Sequence, residues 1–95
     1  MISIKSPAEI RLDLAEQARL KRKWMGHSRA EASKLTGIPA PTLRKFENTG
    51  EISLRQFMML VHVYGDLSSF DKIFPQAIAK SMDELIELNA KEKKK

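Results

Sequence analysis

Cysteine is absent from all 95 residues. That excludes disulfides and thiolate metal sites, and it suits a reducing cytosol. The only two histidines, His27 and His62, are isolated, with no companion ligand at a suitable spacing. No metal site is expected. Long apolar runs are missing too, because charges interrupt every candidate within a few residues, so no membrane span is expected. The opening MISIKSPAE lacks a hydrophobic signal core, and a cytoplasmic location is expected. No Ser/His/Asp set, glycine-rich phosphate loop or paired-carboxylate pocket is legible, so neither enzymatic activity nor a cofactor is expected.

What is present is helix-forming sequence with an uneven charge. The length suits one domain with a small core. Net charge is +5, with a pI near 9.7. The segment from Arg19 to Lys45 holds eight basic residues (Arg19, Lys21, Arg22, Lys23, Arg29, Lys34, Arg44, Lys45) against a single acid, Glu31. Most such clusters are solvated surface. One that coincides with a recognition motif is the electrostatic footprint of phosphate binding.

That motif is SRAEASKLTGIPAPTLRKFENTG, Ser28 to Gly50. Ser28 and Glu31 have the spacing of a capping box. Gly37 stands where one helix must end in the left-handed region, and Ile38 plugs the corner. Pro39, Ala40 and Pro41 open the next helix, since first-turn amides have no intrahelical acceptor to lose. It runs to Glu47, and Asn48-Thr49-Gly50 closes it. Two helices across a glycine turn fit a helix-turn-helix. Ala32, Leu35, Thr36, Leu43 and Phe46 are its inward residues.

The flanks read as follows. Residues 1–6 form an N-terminal arm, frayed or adding a short strand. Ser6, Pro7 and Glu9 start a helix that runs to Met25 before Gly26. Ile10, Leu14, Ala18 and Met25 make its buried stripe, with Arg19, Arg22 and Lys23 on other faces. Ser53 and Gln56 form a capping box for a fourth helix ending at Tyr64 before Gly65. Leu54, Phe57, Met58, Leu60, Val61 and Tyr64 are its core face, while Met59 and Val63 project oppositely as dimer or partner contacts. Asp66 to Phe74 predicts a short fifth helix whose Phe70, Ile73 and Phe74 cover the core, ended by Pro75. Ser81 opens a last amphipathic helix whose Met82, Leu85 and Ile86 form a further contact stripe, before the lysine tail. The expected fold is all-α: a five-helix bundle over residues 7–75, then a C-terminal helix and basic tail over 76–95.

From about Ala18 to Phe74 the chain resembles the phage-repressor and Cro (Xre) superfamily of helix-turn-helix regulators. Ser28, Gly37-Ile38, Thr42-Leu43 and Phe46-Glu47-Asn48 carry the likeness, with Gly50-Glu51-Ile52-Ser53-Leu54 and Phe70-Asp71-Lys72-Ile73-Phe74 downstream. KFENTGEISLRQFMML is similar to HipB-like antitoxin autorepressors encoded beside HipA-type kinases. The resemblance implies that Ala40 to Glu47 lies in the major groove, with Ala40, Pro41, Thr42, Arg44 and Lys45 at the bases. It implies a phosphate contact for Arg29, where the family often has glutamine, and further ones from backbone amides near Asn48, Thr49 and Gly50 and from the helix N-terminus at Ser53. Arg55, beside Ser53, is within reach of the same backbone. Ala40 and Pro41 depart from the family, since neither forms a bidentate bond to a base. Direct readout then leans on Thr42, Arg44 and Lys45, or specificity comes from shape and dimer spacing.

Each residue has a plainer role beside the sharp one. Thr42 is either a contact or a helix-start residue, and Lys45 a phosphate contact or a solvated charge. Glu47 is expected to be a structural partner of a nearby basic residue or amide, because a carboxylate repels phosphate. Trp24 reads as a core cover, with stacking on a base or sugar as the other option. The function that follows is a sequence-specific repressor, dimeric on a palindromic operator in double-stranded DNA, and an autorepressor and antitoxin partnering a HipA-like kinase. A stand-alone phage-type repressor, or a module that mainly binds a protein partner, are the alternatives.

Overall fold

Among the described residues four α-helices follow one another with short connections, three of them begun by a serine cap and the third in order by prolines. The structure, a computed structural model, describes residues 5–75. Among them are α1 (Pro7–Trp24), α2 (Arg29–Thr36), α3 (Ala40–Thr49) and α4 (Leu54–Tyr64), then a 3₁₀ turn, Leu67–Phe70, and no strand. The all-α class is observed. Nothing follows here for Met82, Leu85, Ile86 or the rest of 76–95, nor for most of the N-terminal arm, which lie outside the described residues.

The helix starts agree with the sequence in detail. Ser6 with Glu9, and Ser28 with Glu31, each make both bonds of a capping box. At α4 the Ser53 hydroxyl accepts from the Gln56 amide at 3.2 Å. The reciprocal bond expected there is replaced, because the hydroxyl itself donates to Gln56 Oε1 at 3.0 Å. Pro39 caps α3 without a side-chain bond, and Gly37 and Gly50 close α2 and α3 at φ of 77° and 76°.

α1 packs on α3 and α4, α2 packs on α3 and α4, and the 3₁₀ turn rests on α4. Ala15, Ala32, Ile38, Leu43, Phe46, Leu60 and Tyr64 form the core, with Ala18, Ile52, Phe57 and Val63 packed around it. Ala15 and Ala32 let α1 and α2 approach α3 and α4, and the bulk comes from Phe46, Ile38 and Leu43. Phe46 meets Phe57 edge-on at 5.8 Å, and Phe57 meets Phe70 at 6.1 Å.

Several expectations are corrected. The inward line of α1 is Ala15 and Arg22, with Ala18 beside it, while Ile10 and Met25 are exposed. The phase is rotated because Arg22, expected on another face, is buried against an acid on α3. Leu35 is 52% exposed. Thr36 holds the core position instead, donating to the Ala32 carbonyl at 2.8 Å and accepting from the Ile38 amide at 3.2 Å. Leu54 is exposed at the start of α4. Val63 packs against the core rather than projecting away, which leaves Met59 as the exposed member of that pair.

The fifth α-helix is likewise replaced by the 3₁₀ turn. Asp66 Oδ1 accepts from the Ser68 amide and hydroxyl at 3.0 and 2.7 Å, and the backbone bonds run Ser69 to Asp66, Asp71 to Ser68 and Ile73 to Phe70. This side-chain capture draws the chain into the tighter i to i+3 pattern, and Pro75 disfavours helix at Phe74. Phe70 is half-buried. Ile73 is exposed and Phe74 is 87% exposed, so neither covers the core.

Gly37 and Gly50 share a left-handed φ but not their surroundings. A Cβ on Gly37 would meet open space, whereas one on Gly50 would come within 3.0 Å of the Arg11 backbone carbon and oxygen. Gly37→Ala is expected to cost about 1–2 kcal/mol for the backbone conformation alone. Gly50→Ala adds an overlap with α1 that no flexible side chain can relieve, and about 2–4 kcal/mol is expected. Urea denaturation of the two variants checks the order.

Candidate nucleic-acid interface

α3 is two-sided because its apolar residues are few and spaced by three. Leu43 and Phe46 are buried, and the left-handed Gly50 seats the end of the helix against Arg11. Helical spacing then turns Pro41, Arg44, Lys45 and Asn48 to the outside. All four are exposed, while Ala40 and Thr42 are half-buried at the helix entry. The outward face therefore belongs to a helix whose inner side is fixed by packing.

Pro41, Thr42 and Lys45 of α3 meet Glu51, Ile52, Ser53 and Gln56 around an open groove of about 490 Å³. Four of the residues proposed from sequence thus share one depression. Arg44 and Asn48 are exposed on α3 outside that lining, and Arg55 is exposed at the start of α4. Lys45 Nζ lies 3.6 Å from Glu51 Oε2, with both side chains well exposed, so it is weakly held. Arg44 and Arg55 have no ion-pair partner among the described residues. The Thr49 hydroxyl donates to the Lys45 carbonyl at 2.7 Å and accepts from the Glu51 amide at 3.1 Å. Thr49 and Ser53 therefore serve the turn and the cap before any ligand.

Behind this face lies the main electrostatic feature of the domain. Glu47, on the inner side of α3, has a side chain only 3% exposed. Arg22 of α1 donates Nε to Oε2 at 2.8 Å and Nη2 to Oε1 at 2.9 Å, and its Nη1 reaches the His27 carbonyl at 2.8 Å. Arg29 of α2 adds Nε to Oε1 at 3.1 Å. Glu47 is the structural partner expected of it. Burial works to raise its pKa, but the hydrogen bonds and charges of Arg22 and then Arg29 prevail and hold it below the ordinary carboxylate value. Glu47 in turn raises Arg22.

Neither Arg22 nor the tether on Arg29 was found from sequence. Arg22 and Glu47 are 25 residues apart, and an arginine on α1 is ordinarily read as solvated. One signal was available, since Ala15, Ala18 and Arg22 share a helical face at spacings of three and four. His27 Nδ1 lies 2.9 Å from Tyr64 Oη, which gives this histidine a structural role. Trp24 is not a core cover: it is 77% exposed, with Lys21 Nζ 4.7 Å from its ring centroid. Among the described residues there is no cluster of His, Asp or Glu able to hold a metal, and no helix long and apolar enough to cross a membrane.

No family model, curated protein or solved structure matches the chain.

Removing Glu47 would leave Arg22 buried without a counter-charge. Glu47→Ala is expected to cost about 3–5 kcal/mol, against under about 1 kcal/mol for Glu51→Ala at the exposed pair, read from denaturation curves. The lowered Glu47 pKa also sets the sign of an acid dependence. Its contribution is complete above the unfolded-state value of about 4.3 and is lost as pH falls through the lower folded value. Melting temperature should therefore fall below about pH 4, and the wild-type advantage over Glu47→Gln should shrink in the same window.

Proposed function

We propose that the protein is a sequence-specific DNA-binding repressor that presents α3 to the major groove. The observation that carries this reading is the exposed Pro41, Arg44, Lys45 and Asn48 edge on a helix fixed from behind by Leu43 and Phe46. A helix anchored on one side and basic on the other suits groove insertion, because the bundle holds it rigid while its cations meet phosphates and bases. The turn closed by Gly37 and Ile38 gives α2 and α3 the form of a helix-turn-helix.

Arg44, with no ion-pair partner among the described residues, is assigned to a base edge, and Lys45 to a base or phosphate. Ala40 and Pro41 supply only apolar contact, such as a methyl against thymine. The protein acts as a homodimer on a palindromic operator, with half-sites about one helical turn apart. It works without enzymatic chemistry or a cofactor.

The likeness of KFENTGEISLRQFMML to HipB-like proteins extends the proposal to an Xre-family autorepressor and antitoxin paired with a HipA-like kinase. A kinase-like neighbouring reading frame supports that extension, and a prophage setting supports a stand-alone regulator instead. The exposed Met59 and Trp24 favour a second reading, a module whose main role is to hold a protein partner.

Binding to duplexes selected from random DNA tests the main reading. Arg44→Ala with Lys45→Ala is expected to weaken specific binding by about 10- to 100-fold, with loss of discrimination at one or two base pairs. Affinity for any duplex should also fall steeply with salt as counterions are released. Specific binding that survives the double substitution in a folded protein would mean that α3 is not the reader.

A further inference from the structure

The buried ion cluster carries more positive than negative charge, and its two arginines are used unequally. Arg22 spends all three guanidinium nitrogens on Glu47 and the His27 carbonyl, and its side chain is 8% exposed. Arg29 gives Glu47 only its Nε, and its side chain is 37% exposed. Neither terminal nitrogen of Arg29 has an acceptor among the described residues. One carboxylate is already satisfied by a bidentate arginine, so the second guanidinium brings a charge that the cluster does not neutralise.

The Nε bond has a directional consequence. A guanidinium is planar and rigid, so a bond at Nε narrows the directions that the Nη1–Nη2 edge can take. That edge is one of the forks that make paired bonds to a phosphate. With Nε given to Glu47, the two terminal nitrogens are left over on a side chain that is partly open to solvent. Lysine offers a single ammonium and cannot divide its function in this way.

We propose that Glu47 is a positioning residue for DNA-backbone binding: held through Nε, Arg29 presents its terminal nitrogens as a fork for one phosphodiester, and Glu47 strengthens binding without touching DNA. The proposal rests on the DNA-binding reading above and deepens it. It accounts for a second arginine on an acid that Arg22 already satisfies. It also joins the phosphate contact on α2 to the same carboxylate that locks α3 to α1, so backbone contact and reading helix share one support.

The test measures duplex binding by the 95-residue chain from about 50 to about 200 mM salt, with circular dichroism to establish folding of each variant. Wild-type protein that shows no salt-dependent duplex binding would remove the DNA reading itself, and this proposal with it. Given wild-type binding, Arg29→Ala should reduce the slope of log K against log salt by about 0.9, the value of one phosphate, and weaken binding about tenfold. Arg29→Lys restores the charge but not the tethered fork, and should remain at least about threefold weaker than wild type. Glu47→Gln should reproduce the Arg29→Ala loss, and the double variant should bind no more weakly than either single one.

An unchanged slope for folded Arg29→Ala would overturn the phosphate contact. Wild-type affinity for Arg29→Lys, or losses that multiply in the double variant, would overturn the positioning role. If Glu47→Gln does not fold, the two Arg29 variants decide the matter.

Discussion

A single buried carboxylate joins three helices of this domain. Glu47 projects inward from α3 and is met by Arg22 from α1 and Arg29 from α2. A buried charge is tolerated only when paired and hydrogen-bonded, and this one accepts three bonds from two guanidiniums. Apolar contacts alone would allow α3 to slide or rotate by small amounts against α1. Bidentate bonds do not, because their geometry is directional. The Arg22 bond to the His27 carbonyl extends the lock to the connection between α1 and α2.

That constraint explains how so small a core holds α3 in a defined pose. Leu43 and Phe46 supply the apolar anchor, Ile38 fills the corner at its start, and Gly50 lets its end approach the α1 backbone. Pro41, Arg44, Lys45 and Asn48 are left to face solvent. The outward edge is thus a consequence of how completely the inward side is committed. The groove beside it adds residues from the start of α4, so the candidate surface spans two helices.

Local features were readable because they depend on neighbours in sequence. The Ser6, Ser28 and Ser53 caps, the Gly37 and Gly50 terminations and the helical class all follow from spacings of a few residues. The outward placement of Arg44 and Lys45 was readable as well, since the apolar Leu43 and Phe46 beside them set the helix phase. The inner phase of α1 was not. A pattern that counts only apolar residues places Ile10 and Met25 inside, whereas Ala15 and Arg22 are the buried positions. Arg22 goes inward because an acid waits on another helix, and nothing within one turn of it announces that.

The end of the domain shows the same division. Phe70, Ile73 and Phe74 have a helix-like spacing, yet Asp66 captures Ser68 and the segment tightens into a 3₁₀ turn with Phe74 exposed. By itself the sequence determined where the four α-helices start, the all-α class of the described residues and the concentration of positive charge around α2 and α3. Those properties arise from backbone propensity, capping and composition, which act over a few residues. Only the tertiary structure decided that Glu47 is shared by two arginines, that Arg22 is structural and Arg29 half-free, and that Trp24 stands in solvent. Each of these depends on which distant groups can satisfy a charge or cover an apolar surface, and that is settled only when the helices pack.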